Sequence, residues 1–448
     1  MIDALALWQL LLAEALLLVA AGLALLGLDD VMVDLAWLWL ALRRQLPPVQ
    51  EVPASTPLPP GGFAVFVPAW DESAVIGAML ALLRQRWGDT DYRVFVGLYP
   101  NDAAGLAVVA ALADAHVQPV VNVAPGPTTK ADCLNQCWQA MLAVEAARGK
   151  AFAAVVLHDA EDVVPAGELA LFALHLADHA MVQVPVRPLP DAASPLVAGH
   201  YIDEFAQNHG KALPVRQAMG AALPSAGVGT AINRTLLAHI AEGQGGAPFD
   251  AGTLTEDYEL GHRLAALGGR ACFVQGRHLG MPIRVEEHFP AEINTAVRQK
   301  ARWLVGIALA GWDRLGWRGS WANRWWLWRD RKGPLAALLA LAGYALVLLL
   351  GLDWLAGRWL PLPGLPLERP LLVLLWLNWG LLLWRLGWRA WWTARAENWG
   401  EAALAMPRAM VGNLVNALAA GQALKRYLAV LGGGRLVWDK TRHRFPGQ

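Results

Sequence analysis

With 37 acidic and 37 basic side chains among its 448 residues, the chain carries no net field that would draw it to nucleic acid. It is 56% hydrophobic and only 17% charged, with 23 tryptophans and a mean hydropathy of +0.34, so part of it belongs in lipid. Its 3 cysteines make neither a disulfide framework nor a paired-cysteine metal motif, and read as buried, reduced thiols of a cytosolic domain.

Residues 4–28 are apolar apart from Gln9 and Glu14, long enough to span a bilayer. No basic n-region or small-residue cleavage site marks a signal peptide, so a retained transmembrane helix is expected, with Glu14 facing protein. Residues 30–44 hold Trp37 and Trp39 and end in Arg43 and Arg44, which suits a short interfacial helix. Residues 47–62, rich in proline and glycine, read as a linker.

From residue 63 the pattern alternates. Strand-like runs at 63–67, 92–98, 118–123, 152–157, 181–186 and 271–274 are separated by helical spacing at 73–86, 103–116, 130–147, 200–209, 257–266 and 292–310. This predicts βαβ units, an α/β fold with a mostly parallel, Rossmann-like sheet covered by helices. The glycine loop 227–230 is placed before a helix, and Thr255 as an N-cap.

Residues 312–332 interleave Trp with Arg, as in a helix lying in the headgroup layer. Two further spans are expected at 334–355 and 370–392. Arg329, Arg331 and Lys332 precede the first, and Arg385, Arg389 and Arg395 lie at the end of the second. By the positive-inside rule this puts the globular domain and the C-terminus in the cytosol and the N-terminus outside. Residues 401–427, with Pro407 among them, read as a broken interfacial helix, and 438–448 as a basic tail. The expected units are therefore 1–46, 47–62, 63–311, 312–333, 334–392 and 393–448.

The chemistry concentrates at four acidic element ends. The apolar run 152–157 ends in His158, Asp159, Ala160, Glu161 and Asp162. Carboxylates gathered at a strand tip repel one another, and a hard divalent cation removes that repulsion; a solvated acidic turn is the alternative at equal weight. Asp71 and Glu72, Asp102, and Glu256 and Asp257 mark the other ends. Gln299, Arg302 and Trp303 share one helix face, a poor core stripe but a good platform for a phosphorylated sugar. Neither a phosphate-binding P-loop, nor a dinucleotide fingerprint, nor a nucleophile elbow is present. His158, His200 and His209 are taken as structural.

These motifs together resemble the inverting family-2 glycosyltransferases with a GT-A fold, over residues 63 to 311. The marks are VPAWDE at 67–72, Lys130 and Asn135 in KADCLN, HDAED at 158–162, TED at 255–257, and QKARW at 299–303, which fits QxxRW. Longer stretches, among them TEDYELG, RQKARWLVGIAL and WDKTRHRFP, are similar to the phage-adsorption-protein-B group of membrane glycosyltransferases. Members of that group often continue into a C-terminal cyclic-di-GMP-binding domain, which is not expected within these 448 residues.

The resemblance implies a nucleotide-sugar donor, in the first instance a UDP-sugar, and a divalent metal, Mg2+ or Mn2+. Asp71, Glu72 and Asp102 (or Asn101) would meet the nucleoside, and Lys130, Asn135 and Arg302 the rest of the donor. Asp159 and Glu161, with Asp162 in a shifted alignment, would hold the metal. Asp257, with Glu256 beside it, would be the general base, and Gln299 and Trp303 the acceptor platform. Glu286 and Glu287 are placed on a gating loop. The implied enzyme sits in a bacterial inner membrane, elongates a polysaccharide and couples elongation to export through an outer-membrane partner. The alternatives are transfer of a single sugar to a polyprenyl-phosphate lipid, and a non-catalytic scaffold or phage-receptor assembly factor with a degenerate transferase domain.

Overall fold

The computed structural model describes residues 2–359, 364–433 and 444–446. Its centre is a seven-stranded sheet. From edge to edge the order is Val117–Val121, Tyr92–Leu98, Phe63–Pro68, Ala154–Leu157, Thr230–Asn233, Met181–Gln183 and Ala271–Phe273. Every pairing is parallel except the two made by Thr230–Asn233. The sheet is covered on both faces, which explains its near-continuous apolar runs. Along Phe63–Pro68, Phe63, Val65 and Val67 enter one core with Met79, Leu80 and Phe172. The alternate residues Ala64 and Phe66 enter the other, with Trp138, Leu237 and Leu260.

Several expected elements end differently, for local reasons. The strand expected at 181–186 divides: after Met181–Gln183 the chain leaves the main sheet, and Val186–Pro188 pairs with Val285–Glu287. Pro185 sits at the break, where it has no N–H to give a ladder. Glu286 and Glu287 therefore lie on a short strand, not on a loop. The glycine loop 227–230 leads into the strand Thr230–Asn233, and only then into the helix Arg234–Glu242. Helix Ala103–Leu112 stops short of 116. The helix expected at 292–310 is α-helical over Ile293–Trp303, widens to a π-helix over Leu304–Leu309 and resumes at Ala310–Leu315. A second π segment, Asn208–Ala212, follows the helix Gly199–Gln207. Single π turns often mark places where a helix re-aims side chains.

The N-terminal region departs most. A single helix, Ile2–Leu42, replaces the expected span and separate interfacial helix. Asp29, Asp30 and Asp34 do not break it because basic partners meet them. Lys332 Nζ lies 2.6 Å from Asp29 Oδ2, and Arg329 Nη2 lies 3.0 Å from Asp30 Oδ1. Asp34 pairs with Lys211 and accepts a hydrogen bond from Trp384 Nε1. Farther along, Asp353 accepts from Gln9 Nε2 at 2.7 Å and from Trp8 Nε1 at 3.1 Å, joining the first and second long helices. Glu14, expected to face protein, is exposed.

Among the described residues, three helices are long and apolar enough to cross a membrane: Ala4–Leu42, Gly333–Ala356 and Arg369–Ala396. The helix Trp321–Arg331 has one face on the protein: Trp326 is buried beside Val33, Leu40 and Val215, while Trp321 is exposed. The region 401–427 forms Trp399–Ala403 and Ala405–Leu431. The break falls at Leu404, and Pro407 sits in the first turn of the second helix, where it disturbs nothing. That helix buries Val415, Ala419 and Ala423 against Val297, Ala301 and Val305. The expected basic tail, apart from 444–446, lies outside the described residues.

Candidate active site

Lys130 opens the helix Lys130–Arg148, and local chemistry fixes it there. Thr129 Oγ1 accepts from Asp132 N at 3.1 Å and Asp132 Oδ2 accepts from Thr129 N at 3.2 Å, a reciprocal capping box. The Lys130 ammonium then lies 2.5 Å from Asp159 Oδ1, at the tip of strand Ala154–Leu157. Burial would pull the ammonium down, but Asp159, Glu256 and Asp257 outweigh it and hold its pKa above the ordinary value.

Glu256 and Asp257 begin the helix Glu256–Ala266, where negative charge meets the positive end of the helix dipole. Thr255 occupies the N-cap position, but its hydroxyl makes no cap bond and is buried without a hydrogen-bond partner. Asp257 Oδ1 accepts from Tyr258 N at 2.7 Å. Burial raises Asp257, against the pull of Lys130 and Arg302. Glu256 is pushed up to about 7, first by burial and then by Asp257, with Lys130 opposing. The chain opposite has to be glycine: at Gly227, φ is 78° and a Cβ would lie 2.3 Å from Asp257 Oδ2.

Gln299, Arg302 and Trp303 supply the wall across from these acids. They line a cavity of about 630 Å3 together with Glu72, Lys130, Asp159, Glu161, Glu256, Asp257 and Glu287. Gln299 Oε1 and Arg302 Nε are buried without a hydrogen-bond partner. Trp303 meets Tyr201 edge-on, with ring centroids 6.2 Å apart. Arg329 and Asp330, from the last turn of Trp321–Arg331, reach the same cavity, and the long apolar helix Gly333–Ala356 starts just beyond them.

Four expected site residues do not face this cavity. Asp162 is fully buried: its Oδ2 meets His158 Nδ1 at 2.8 Å and accepts from Asp159 N at 3.0 Å. It braces the acidic turn from behind. His158, pulled down by burial but raised to about 10 by Glu168 and Asp162, is buried between these two carboxylates and does not line the cavity. Asp102 caps the helix Ala103–Leu112 through Gly105 N and accepts from Asp71 N at 3.0 Å. Asp71 itself is exposed, in the left-handed region at φ 55°. Asn135 exchanges two hydrogen bonds with the backbone of Phe249, tying its helix to the loop before Thr255.

Two residues join that the motifs missed. Glu287 faces the acidic turn, and burial, then Asp162, Glu161 and Asp159, raise it well above the ordinary carboxylate range. Gln183 holds the loop opposite Asp257: its Nε2 donates to Val228 O and Gly229 O, and its Oε1 accepts from Ala226 N and Thr230 Oγ1. Neither has a sequence signature; only the sheet order brings them in.

A model of the family described as glycosyltransferase like family 2 matches residues 59–306. The chain belongs to this family. It is 35% identical over 481 aligned positions to bacteriophage adsorption protein B of Escherichia coli. The match covers all of this chain and 64% of that relative, so the chain spans less than two thirds of the relative's length. Among solved structures, the mannosyltransferase PcManGT from Pyrobaculum calidifontis, in complex with GDP-Man and Mn2+, superposes with a TM-score of 0.53 at 17% identity, over 87% of this chain and 98% of that one. At that identity the likeness is one of fold, and the fold of this family-2 member is GT-A-like with three candidate membrane helices.

The donor atoms suit a hard cation. Asp159, Glu161 and Glu287 line one cavity and offer only oxygen, and Glu287 is raised first by burial and then by the neighbouring carboxylates, whose share bound positive charge would relieve. For Glu256 the sign is definite. A carboxyl raised in the fold binds its proton more tightly folded than unfolded, so stability falls as pH rises. Between pH 4.5 and about 7 the metal-free protein should therefore lose melting temperature relative to Glu256→Gln, which has no such proton to give up. Melting curves across that range check this.

Proposed function

We propose that this chain is an inner-membrane, inverting glycosyltransferase that passes a sugar from a nucleotide-sugar donor, a UDP-sugar in the first instance, to a growing polysaccharide coupled to export. The observation that carries the reading is one cavity holding Lys130, Arg302, the raised Asp257 and Trp303, next to the start of a membrane-length helix. The basic flanks Arg329, Arg331, Lys332 and Arg395 support a catalytic domain facing the cytosol, by the positive-inside rule.

In this reading Asp159, Glu161 and Glu287 would hold a divalent cation, Mg2+ or Mn2+, which supplies charge neutralisation at the donor diphosphate. Arg302 and Lys130 meet the same diphosphate as fixed cations and favour its departure. An acceptor hydroxyl attacks the anomeric carbon, the bond to the diphosphate oxygen breaks with its electron pair leaving on that oxygen, and Asp257 takes the hydroxyl proton. Burial makes Asp257 a stronger base than a solvated aspartate. Glu72 borders the nucleoside end, and Asp102 holds the neighbouring Asp71 by its backbone N–H. Gln299 and Trp303 seat the acceptor sugar.

Purified protein supplied with a panel of nucleotide sugars and Mn2+ should release nucleoside diphosphate and build chains of many units. One sugar per polyprenyl-phosphate acceptor would replace elongation with single transfer. Trp303→Ala should raise the acceptor KM about 10-fold, the loss of roughly 1.4 kcal/mol of stacking, and leave donor hydrolysis unchanged. Initial rates against acceptor concentration check this.

A further inference from the structure

We infer that His175, His179 and Cys272 form a second metal site, for a soft divalent cation of the zinc type, at the edge of the sheet. One donor atom from each of the three lies within 4.8 Å of the others. None of the three lines the cavity described above. His175 ends the helix Glu168–His175, His179 follows four residues later, and Cys272 sits in the edge strand Ala271–Phe273.

The donor set argues for zinc and against the hard cation of the cavity. Two imidazoles and a thiolate are soft ligands, and two histidines separated by three residues have a spacing common in zinc sites. On each ring one nitrogen is engaged by an oxygen, which leaves the other for a cation. His175 Nε2 lies 2.9 Å from Gln50 Oε1, an atom that only accepts, so Nε2 carries the proton and Nδ1 keeps its lone pair. His179 Nδ1 lies 3.1 Å from the His175 carbonyl oxygen, so Nδ1 carries the proton and Nε2 keeps its lone pair. Metal-binding histidines are oriented in this way, the second nitrogen donating to a carbonyl or amide oxygen. Cys272 is buried, and the cation would displace its thiol proton to solvent on binding.

Such a site would staple three parts of the chain. It joins the end of helix Glu168–His175 to the last strand of the sheet. Through Gln50 it also reaches the segment between the first long helix and the catalytic domain. The same helix begins at Glu168, whose carboxylate meets His158 behind the acidic turn.

The test is a Co2+ titration of the full chain in detergent with Mg2+ in excess. One equivalent should give a thiolate-to-cobalt charge-transfer band and tetrahedral visible bands, both removed by Zn2+. Cys272→Ser should lose the charge-transfer band. His179→Gln, at a half-buried loop position, should weaken Zn2+ binding by more than the roughly 10–100-fold that loss of an outer partner costs. No charge-transfer band in the unaltered protein, a band that persists in Cys272→Ser, or undiminished Zn2+ affinity in His179→Gln would each overturn the site. A requirement of Mg2+ for sugar turnover is independent of all three readouts.

Discussion

Asp257→Asn should reduce sugar transfer by roughly 10²–10⁴-fold, the range expected when a positioned base is removed. The variant should still fold. Asp257 begins the helix Glu256–Ala266, and its Oδ1 accepts from the Tyr258 N–H, a bond an asparagine oxygen can keep. Since burial disfavours the aspartate anion, the neutral amide should leave melting of the metal-free protein unchanged or move it upward. Nucleoside diphosphate release and a melting curve on the same sample separate the two effects. A variant as active as the parent would remove Asp257 from the role of base, and absence of turnover in the parent itself would favour the reading of this chain as a scaffold with a degenerate transferase domain.

Gly227→Ala should damage the same step without removing any functional group. The added methyl would fall 2.3 Å from Asp257 Oδ2, and φ of 78° is itself strained for alanine by about 1–2 kcal/mol. Asp257 has to move, and displacement of a reacting group by about 1 Å can lower the rate roughly 100-fold. The loss should appear in kcat more than in the donor KM. Combined with Asp257→Asn it should add little, because both act on one carboxylate. Retention of full turnover by Gly227→Ala would mean that Asp257 does not sit at the reacting centre.

The fold was legible where hydrophobic pattern and end chemistry agree. Tyr92–Leu98 coincides with its apolar run, and the helix at Lys130 begins where its Thr-x-x-Asp capping box requires. The acidic ends at 159–161 and 256–257 and the face at 299–303 meet in one cavity, the first at the carboxyl end of a parallel strand, where ligands of open α/β sheets sit, the others on helices packed around it. Which short polar side chains turn inward was not legible. Asp102, Asp162 and Asn135 stand in motif positions, yet each is spent on backbone or histidine partners, a use open to any Asp or Asn at an element end. Glu287 was expected only on a gating loop, because its place beside the acidic turn depends on a strand that pairs with Val186–Pro188, distant in sequence. Asp29 and Asp34 looked like the end of a span, since their basic partners at 332 and 211 are invisible to any local window.

The first helix has a mechanical consequence. Its 41 residues, at about 1.5 Å each, make a rod roughly 60 Å long, about twice the thickness of a bilayer's hydrocarbon core. With its apolar half in lipid, the other half is a rigid mast pinned to the catalytic domain at Asp34 and along Val33 and Leu40. A thinner or thicker bilayer that tilts such a rod must swing the domain with it, so that lipid chain length would set how high above the membrane the sugar is joined.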